Sequence, residues 1–388
     1  PLVLERTKKL LVIGDNAMKV HAAGGGSAEI KALYEISPLL GLKCLLGGNC
    51  EITFARGYEV PKKEKDGQNW QENSLNDDKE RKDGASGSKV CARAEKLRSE
   101  ALELAAQFDD VIFIGGLNHE EDLEGRDREN MSLPYGQDEL IRQLLSVNPN
   151  MVVVMIAGSP VDMTSWEPLA KAVLFMGYAG MECGTALAQT IFGIVNPSGK
   201  LAETFPKTLS DCGALNLSDF PGRALDEQEK KRMNAHLTQT YGDGIFVGYR
   251  YYEKYHVPVQ YCFGHGLSYT TFEYGNFCGE WVKNENGGRT FTACIDIKNT
   301  GQYAGAQVVQ FYLGEECPKA ENAVKELKGF EKVFLEPGVE KKVKVCLEEA
   351  AFARYDEEKG SFEAEEGAYI LYAGSSLNDI HGNIHFSF

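Results

Sequence analysis

The chain lacks any run of roughly 18 or more apolar residues, so no segment of it reads as a membrane-spanning helix. It also lacks a Cys-x-x-Cys pair. Cys44, Cys50, Cys91, Cys183, Cys212, Cys262, Cys278, Cys294, Cys317 and Cys346 are scattered without an adjacent His, which suggests neither a zinc site nor a disulfide framework and leaves them as mainly buried thiols. Positive charge is in deficit. With 41 Lys and Arg against 57 Asp and Glu, the net charge of −16 argues against a nucleic acid or an anionic membrane as partner and favours a neutral or cationic ligand, although solubility alone accounts for acidity. The Gly-x-Gly-x-x-Gly spacing is absent, and the loop ending in Gly24-Gly-Gly-Ser27 is too long for a dinucleotide turn. No cofactor and no metal site are expected. There is neither an initiator Met nor the apolar centre of a signal peptide, and the chain starts almost directly on a strand, so it reads as a piece of something longer.

At 388 residues the chain is too long for one ordinary core, and two or three domains are expected. Leu10-Leu-Val-Ile13, Glu51-Ile-Thr-Phe-Ala55, Val111-Ile-Phe-Ile114, Met151-Val-Val-Val-Met-Ile156 and Ala172-Val-Leu-Phe-Met176 read as buried strands. Helical segments alternate with them. One starts at Ser37-Pro38, with Ser37 as N-cap and Pro38 in the first turn, and runs through Leu39, Leu40, Leu42 and Leu45. Others cover Ala92 to Phe108, the turns carrying Leu140, Ile141, Leu144 and Leu145, and Gly180 to Gly193 with Ala186, Leu187 and Ile191 inward. This order predicts a three-layer α/β/α sandwich with a mainly parallel sheet over residues 1–206, closed by Leu201-Ala-Glu-Thr-Phe205. Pro61 to Lys89 interrupts it with a polar stretch expected to be a solvated insertion.

Residues 207–268 read as a linker and interdomain wrap, in which Phe246, Tyr249, Tyr251, Tyr252, Tyr255, Tyr261 and Phe263 are core or interface rather than a ligand platform. From residue 269 to 388 helical periodicity disappears. Short alternating segments at Phe291–Ile297, Ala306–Leu313, Val324–Phe334, Lys341–Leu347 and Ala368–Ala373, separated by Gly-containing turns, predict a β-sandwich of immunoglobulin or fibronectin type III kind.

The chemistry is expected after Ile114. Gly115-Gly116 close the central strand, and ligands in open α/β sheets bind outside the carboxyl ends of strands. The loop from Leu117 to Pro134 carries Glu120, Glu121, Asp122, Glu124, Asp127 and Glu129 against Arg126 and Arg128. Crowded carboxyl groups disfavour one another's ionisation, which suits a general acid working near neutral pH. The bland alternative is a solvated acidic loop.

An ordered series of segments resembles glycoside hydrolase family 3, the β-glucosidase and β-xylosidase family: Leu11-Val-Ile-Gly-Asp-Asn-Ala, Gly24-Gly-Gly-Ser, Tyr34-Glu-Ile-Ser-Pro-Leu, Glu124-Gly-Arg-Asp-Arg, Leu133-Pro, Asn196-Pro-Ser-Gly-Lys-Leu, Gly244-Ile-Phe-Val-Gly-Tyr-Arg and Phe263-Gly-His-Gly-Leu-Ser-Tyr-Thr. Leu327-Lys-Gly-Phe-Glu-Lys-Val and Gly374-Ser-Ser extend it into a fibronectin-like domain. The resemblance implies a retaining exo-acting β-glycosidase whose Asp nucleophile belongs to a (β/α)₈ barrel not found in this chain. It also implies that Glu124 is the general acid/base, with Asp127 and Arg128 supporting the loop by ion pairing and Glu120 and Glu121 as runner-up acids. A ligand role for Glu182 is doubtful, because Gly180-Met-Glu-Cys-Gly departs from the family's commoner Gly-Gln-Glu-Gly-Gly-like stretch. The implied partners are an oligosaccharide or glucoside substrate and the barrel domain, with the chain alone inactive; compartment is left open. The reading from another class is a non-catalytic carbohydrate-binding or structural module.

Overall fold

A computed structural model describes residues 2–24, 28, 30–61, 87–122, 127–220, 222–224, 237–284 and 287–388 of the protein. They fall into two compact units, one of Pro1–Val195 with Gly222–Thr238 and the other of Asn196–Pro221 with Gln239–Phe388.

In the first unit, strands β1 (Lys9–Ile13), β2 (Glu51–Ala55), β3 (Asp110–Gly116), β4 (Val152–Ile156) and β5 (Ala172–Phe175) form one parallel sheet in the order β2-β1-β3-β4-β5. The central strands are buried on both faces, which is why they appear in the sequence as continuous apolar runs. On one face Leu10, Val12, Ile112, Ile114, Val154 and Ile156 pack against helices α1 (Pro38–Leu46) and α4 (Cys183–Ile191). Residues of the other parity, among them Leu11, Ile13, Val111 and Phe113, point away from those two helices, towards the side of α2 (Gly87–Ala105) and α3 (Gln137–Val147). The result is the expected three layers.

Local signals account for the helix ends. Ser37 Oγ accepts the amide hydrogen of Leu40 at 3.3 Å, and Pro38 fills the first turn of α1. Leu140, Ile141, Leu144 and Leu145 form the buried stripe of α3. Several expectations need correction. In α4 the buried face is Cys183, Gly184, Leu187, Ala188 and Ile191, and Ala186 is exposed because the helical turn carries it off that stripe. Helix α2 opens at Gly87 rather than Ala92, since its polar first turns carry no apolar period to read; the rest of the polar stretch, residues 62–86, lies outside the described residues. Leu201 to Thr204 form no strand; only Phe205–Pro206 pairs, with Val259–Tyr261, and both segments belong to the second unit.

The second unit is an antiparallel β-sandwich. One sheet runs Phe272–Lys283, Arg289–Asn299, Glu340–Leu347, and the other Glu326–Leu335, Gly305–Glu315, Ala368–Gly374, Ile380–Ser387. Phe291, Ile295, Phe311, Leu313, Val343, Leu347 and Leu371 fill its core. Beside it the aromatic segment forms a small core of its own, where Tyr249 stacks on Phe263 at 4.8 Å and packs with Cys262, Tyr312 and Leu377. A short helix over Tyr249–Lys254 was not legible in the sequence. The cysteines are not mainly buried: among the described ones only Cys183 and Cys262 are, and Cys44, Cys278, Cys317 and Cys346 are exposed. A small side chain on an outward strand position or a helix surface needs no burial to be tolerated.

Candidate active site

Strands β1 and β3 are neighbours, but the chain leaves them in opposite directions, toward β2 from one and toward β4 from the other. The crevice at their carboxyl ends is the topological switch point, where ligands of such sheets bind. Two glycines open it. Gly14 (φ 115) and Gly116 (φ 114) end the strands in a backbone conformation that L side chains avoid, and a Cβ on either would fall 2.0 or 2.1 Å from the carbonyl oxygen of Ile114 or Ile156. Asn16 ties the two loops together by donating from Nδ2 to the Leu117 carbonyl at 2.8 Å. Beside it, the Asp15 carboxylate is held by Arg56 Nε at 2.9 Å and Lys19 Nζ at 3.2 Å. Between the loops lies a cavity of about 340 Å³, lined by Met18, Lys19, Val20, His21, Asn118, His119 and Glu120.

Gln137, fully buried at the start of α3, sets the exit of β3: its Oε1 accepts from the Gly116 amide and its Nε2 donates to the Gly116 carbonyl, each at 2.9 Å. The acidic loop then folds on itself. The side chain of Asn118 accepts from the Glu120 amide at 2.8 Å, while its carbonyl accepts from the amides of Glu121 and Asp122. Among the described residues of the loop, Glu121 and Asp122 take separate partners. Glu120 lines the cavity; Glu121 accepts from the Tyr135 hydroxyl at 2.9 Å; Asp122 Oδ2 accepts from the Gly158 amide at 2.8 Å and the Tyr178 hydroxyl at 3.0 Å. Burial first, then the carboxylate beside it, pushes the Tyr178 hydroxyl up, so it remains a donor at neutral pH. Arg128 donates from Nη2 to Ser159 Oγ at 2.9 Å and to the Pro160 carbonyl at 2.8 Å, and its Nη1 is buried without a partner among the described residues. Asp127 is exposed and does not pair with Arg128. Glu124, with Gly125 and Arg126, lies outside the described residues.

An aromatic group flanks the loop. His21 lies parallel to Tyr178 at 6.3 Å between ring centroids, and His119 meets Tyr178 edge-on at 5.7 Å. Burial pushes His21 down to about 4, so its imidazole is neutral; Nε2 faces the Asn16 carbonyl at 3.1 Å and must carry the proton, which leaves Nδ1 as a buried acceptor with no partner among the described residues. Glu182 stands apart from the cavity. It accepts from Tyr34 at 2.6 Å, and hydrogen bonds from Thr185 and Tyr34 hold its carboxyl below the usual range, so it ties the segment before α1 to the start of α4. Tyr178, His21, His119 and Gly158 carry no pattern in the sequence. Their one shared signal is position, since each lies in a segment that follows the carboxyl end of a parallel strand.

The first unit is thus a doubly wound α/β fold with an acid-bearing loop at its switch point, and the second a fibronectin-like sandwich. The glycosyl hydrolase family 3 C-terminal domain matches residues 1–269, and a fibronectin type III-like domain matches residues 307–377. The chain belongs to glycosyl hydrolase family 3. It is 35% identical to a beta-glucosidase of Bacteroides ovatus over 401 residues, covering 100% of this chain and 48% of that protein. A probable beta-glucosidase I of Aspergillus flavus is 40% identical over 288 residues, covering 72% of this chain and 32% of that protein. Among solved structures, a beta-glucosidase of Bifidobacterium adolescentis superposes with a TM-score of 0.80 at 31% identity, over 100% of this chain and 50% of that one. The chain thus spans half or less of the length of these relatives.

Proposed function

We propose that this chain is the carboxyl-terminal portion of a retaining exo-β-glycosidase, a β-glucosidase that removes terminal non-reducing β-D-glucosyl residues from oligosaccharides or glucosides. Glu124 is the general acid/base. It protonates the departing glycosidic oxygen and later takes a proton from the attacking water, while the nucleophile, an Asp, comes from a (β/α)₈ barrel outside this chain. The observation that carries the reading is the anchoring on both sides of Glu124: Asp122 holds Gly158, and Arg128 holds Ser159 and Pro160, so the segment between them starts and ends on the exit of β4, the strand next to β3. Glu121 and Asp122 are engaged in packing the loop, which favours Glu124 over them as the acid. Arg128 supports the loop, with Asp127 beside it. We retain the division into residues 1–206, 207–268 and 269–388 as part of the same proposal.

A retaining pair needs its carboxyl groups about 5 to 5.5 Å apart. With only one of the two on this chain, the 388-residue piece alone should not turn over an aryl β-glucoside. The full-length protein should, and proton NMR of the first-formed sugar should show the β-anomer. Turnover by the piece alone, or an α-anomer as first product, would overturn the reading.

A further inference from the structure

The outer face of the three-stranded sheet in the sandwich carries a group that the acidic loop does not use. Along Arg289–Asn299 the residues Phe291, Ala293 and Ile295 face the core, so Thr292, Cys294 and Asp296 face outward; on Glu340–Leu347 the outward set is Lys342, Lys344 and Cys346. The register places Cys278 directly opposite Cys294, with Lys344 next in the same row. Opposed residues of antiparallel strands have Cα atoms about 4.5–5.5 Å apart, inside the window of about 4.4–6.8 Å that a disulfide spans. Both thiols are free, Cys278 exposed and Cys294 half-buried. Cys346 lies one row along, opposite Thr292, with its sulfur 3.8 Å from the Thr292 hydroxyl. Diagonal neighbours stand about 7–8 Å apart, outside that window.

We propose that Cys278 and Cys294 form a thiol–disulfide modification site whose oxidant is a low-molecular-weight disulfide. The exposed Cys278 thiolate attacks one sulfur of that disulfide, forms a mixed disulfide and expels one thiolate. Cys294 then attacks the Cys278 sulfur, closes the protein S–S bond and expels the second. Two protein thiols give up two electrons and two protons, and the small disulfide leaves as two thiols. Lys344 stands opposite Cys294 in the same row, and Lys342, one row along, is held by Asp296 at 2.7 Å. The bond would staple an edge strand where its pairing is interrupted, between Gly275 and Cys278, next to Asn276 in the left-handed region (φ 49).

The test is to incubate the full-length protein with glutathione disulfide, alkylate the remaining thiols and map the peptides without reduction. The expected result is a Cys278–Cys294 cross-linked peptide, no glutathione retained at either position, and both thiols recovered after reduction. Cys294→Ser should stop at a stable glutathione adduct on Cys278, whereas Cys346→Ser should still close the bond. Retention of glutathione on Cys278 in the unsubstituted protein, full alkylation of both thiols, or a cross-link to Cys346 instead would overturn the proposal. Should Cys294→Ser fail to fold, the map of the unsubstituted protein decides alone.

Discussion

Asp122 and Arg128 grip the same stretch of backbone from either side of the acidic loop, Asp122 through the Gly158 amide at 2.8 Å and Arg128 through the Pro160 carbonyl at 2.8 Å. Gly158 makes this possible, because a Cβ there would meet Asp122 Oδ2 at 2.6 Å. The loop is therefore held by charge-assisted hydrogen bonds to one strand exit.

Loosening either anchor should impair catalysis more than folding. In the full-length enzyme, Asp122→Ala removes the acceptor of two hydrogen bonds, and Arg128→Ala removes two donated ones. Each should lower kcat/KM on a disaccharide by about tenfold or more, in line with about 1.5–3 kcal/mol for a hydrogen bond to a charged group. Steady-state kinetics beside a thermal melt would check this. A large fall in melting temperature with unchanged kcat/KM would show that the anchors serve folding alone.

His21 gives the α/β unit a dependence on pH with a defined sign. Its folded value of about 4 lies below the 6.5 of a free imidazole, so the unfolded chain binds the extra proton between those values. Stability from keeping His21 neutral is fully present above about pH 6.5 and declines as pH falls towards 4, by at most on the order of 3 kcal/mol. Urea unfolding at pH 7 and pH 5 should show a larger loss for the unsubstituted protein than for His21→Gln. Equal losses in the two would contradict it.

The sandwich of helices on one face depends on two glycines. A Cβ built on Gly41 of α1 would lie 2.1 Å from the Gly184 backbone of α4, and one on Gly184 would lie 2.1 Å from the Ser37 carbonyl oxygen. Gly41→Ala should therefore destabilise the protein by about 1–3 kcal/mol, although alanine is the better helix former by about 1 kcal/mol. Denaturant unfolding measures the sign. A gain in stability would show that the helices can separate at little cost.

How much was legible follows from where each element sits. Strands β1, β3 and β4 were readable because burial on both faces writes an unbroken apolar run, and the edge strands β2 and β5, only partly buried, still carry short stretches rich in β-branched or aromatic residues. The strands Phe272–Lys283 and Ile380–Ser387 escaped because each is only half-buried, and Gly275, Asn276, His381 and Asn383 break up the alternation. The helix at Tyr249–Lys254 is too short to show a period. The acidic loop could be placed from the rule for strand ends. Its partners could not, since Gly158 and Tyr178 lie 36 and 56 residues from Asp122, and no local pattern spans that separation.

The central claim is that Glu124 is the general acid/base of the full-length enzyme, and leaving-group chemistry tests it most directly. A missing acid slows cleavage when the departing alcohol must be protonated, and much less when an acidic nitrophenol leaves unaided. The measurement is kcat/KM of Glu124→Gln on a disaccharide and on a dinitrophenyl β-glucoside, with and without azide. The account predicts a loss of about 10²-fold or more on the disaccharide, a far smaller loss on the activated substrate, and faster turnover of the latter with azide. Near-normal disaccharide hydrolysis by Glu124→Gln, with this pattern appearing instead in Glu120→Gln or Glu121→Gln, would contradict it.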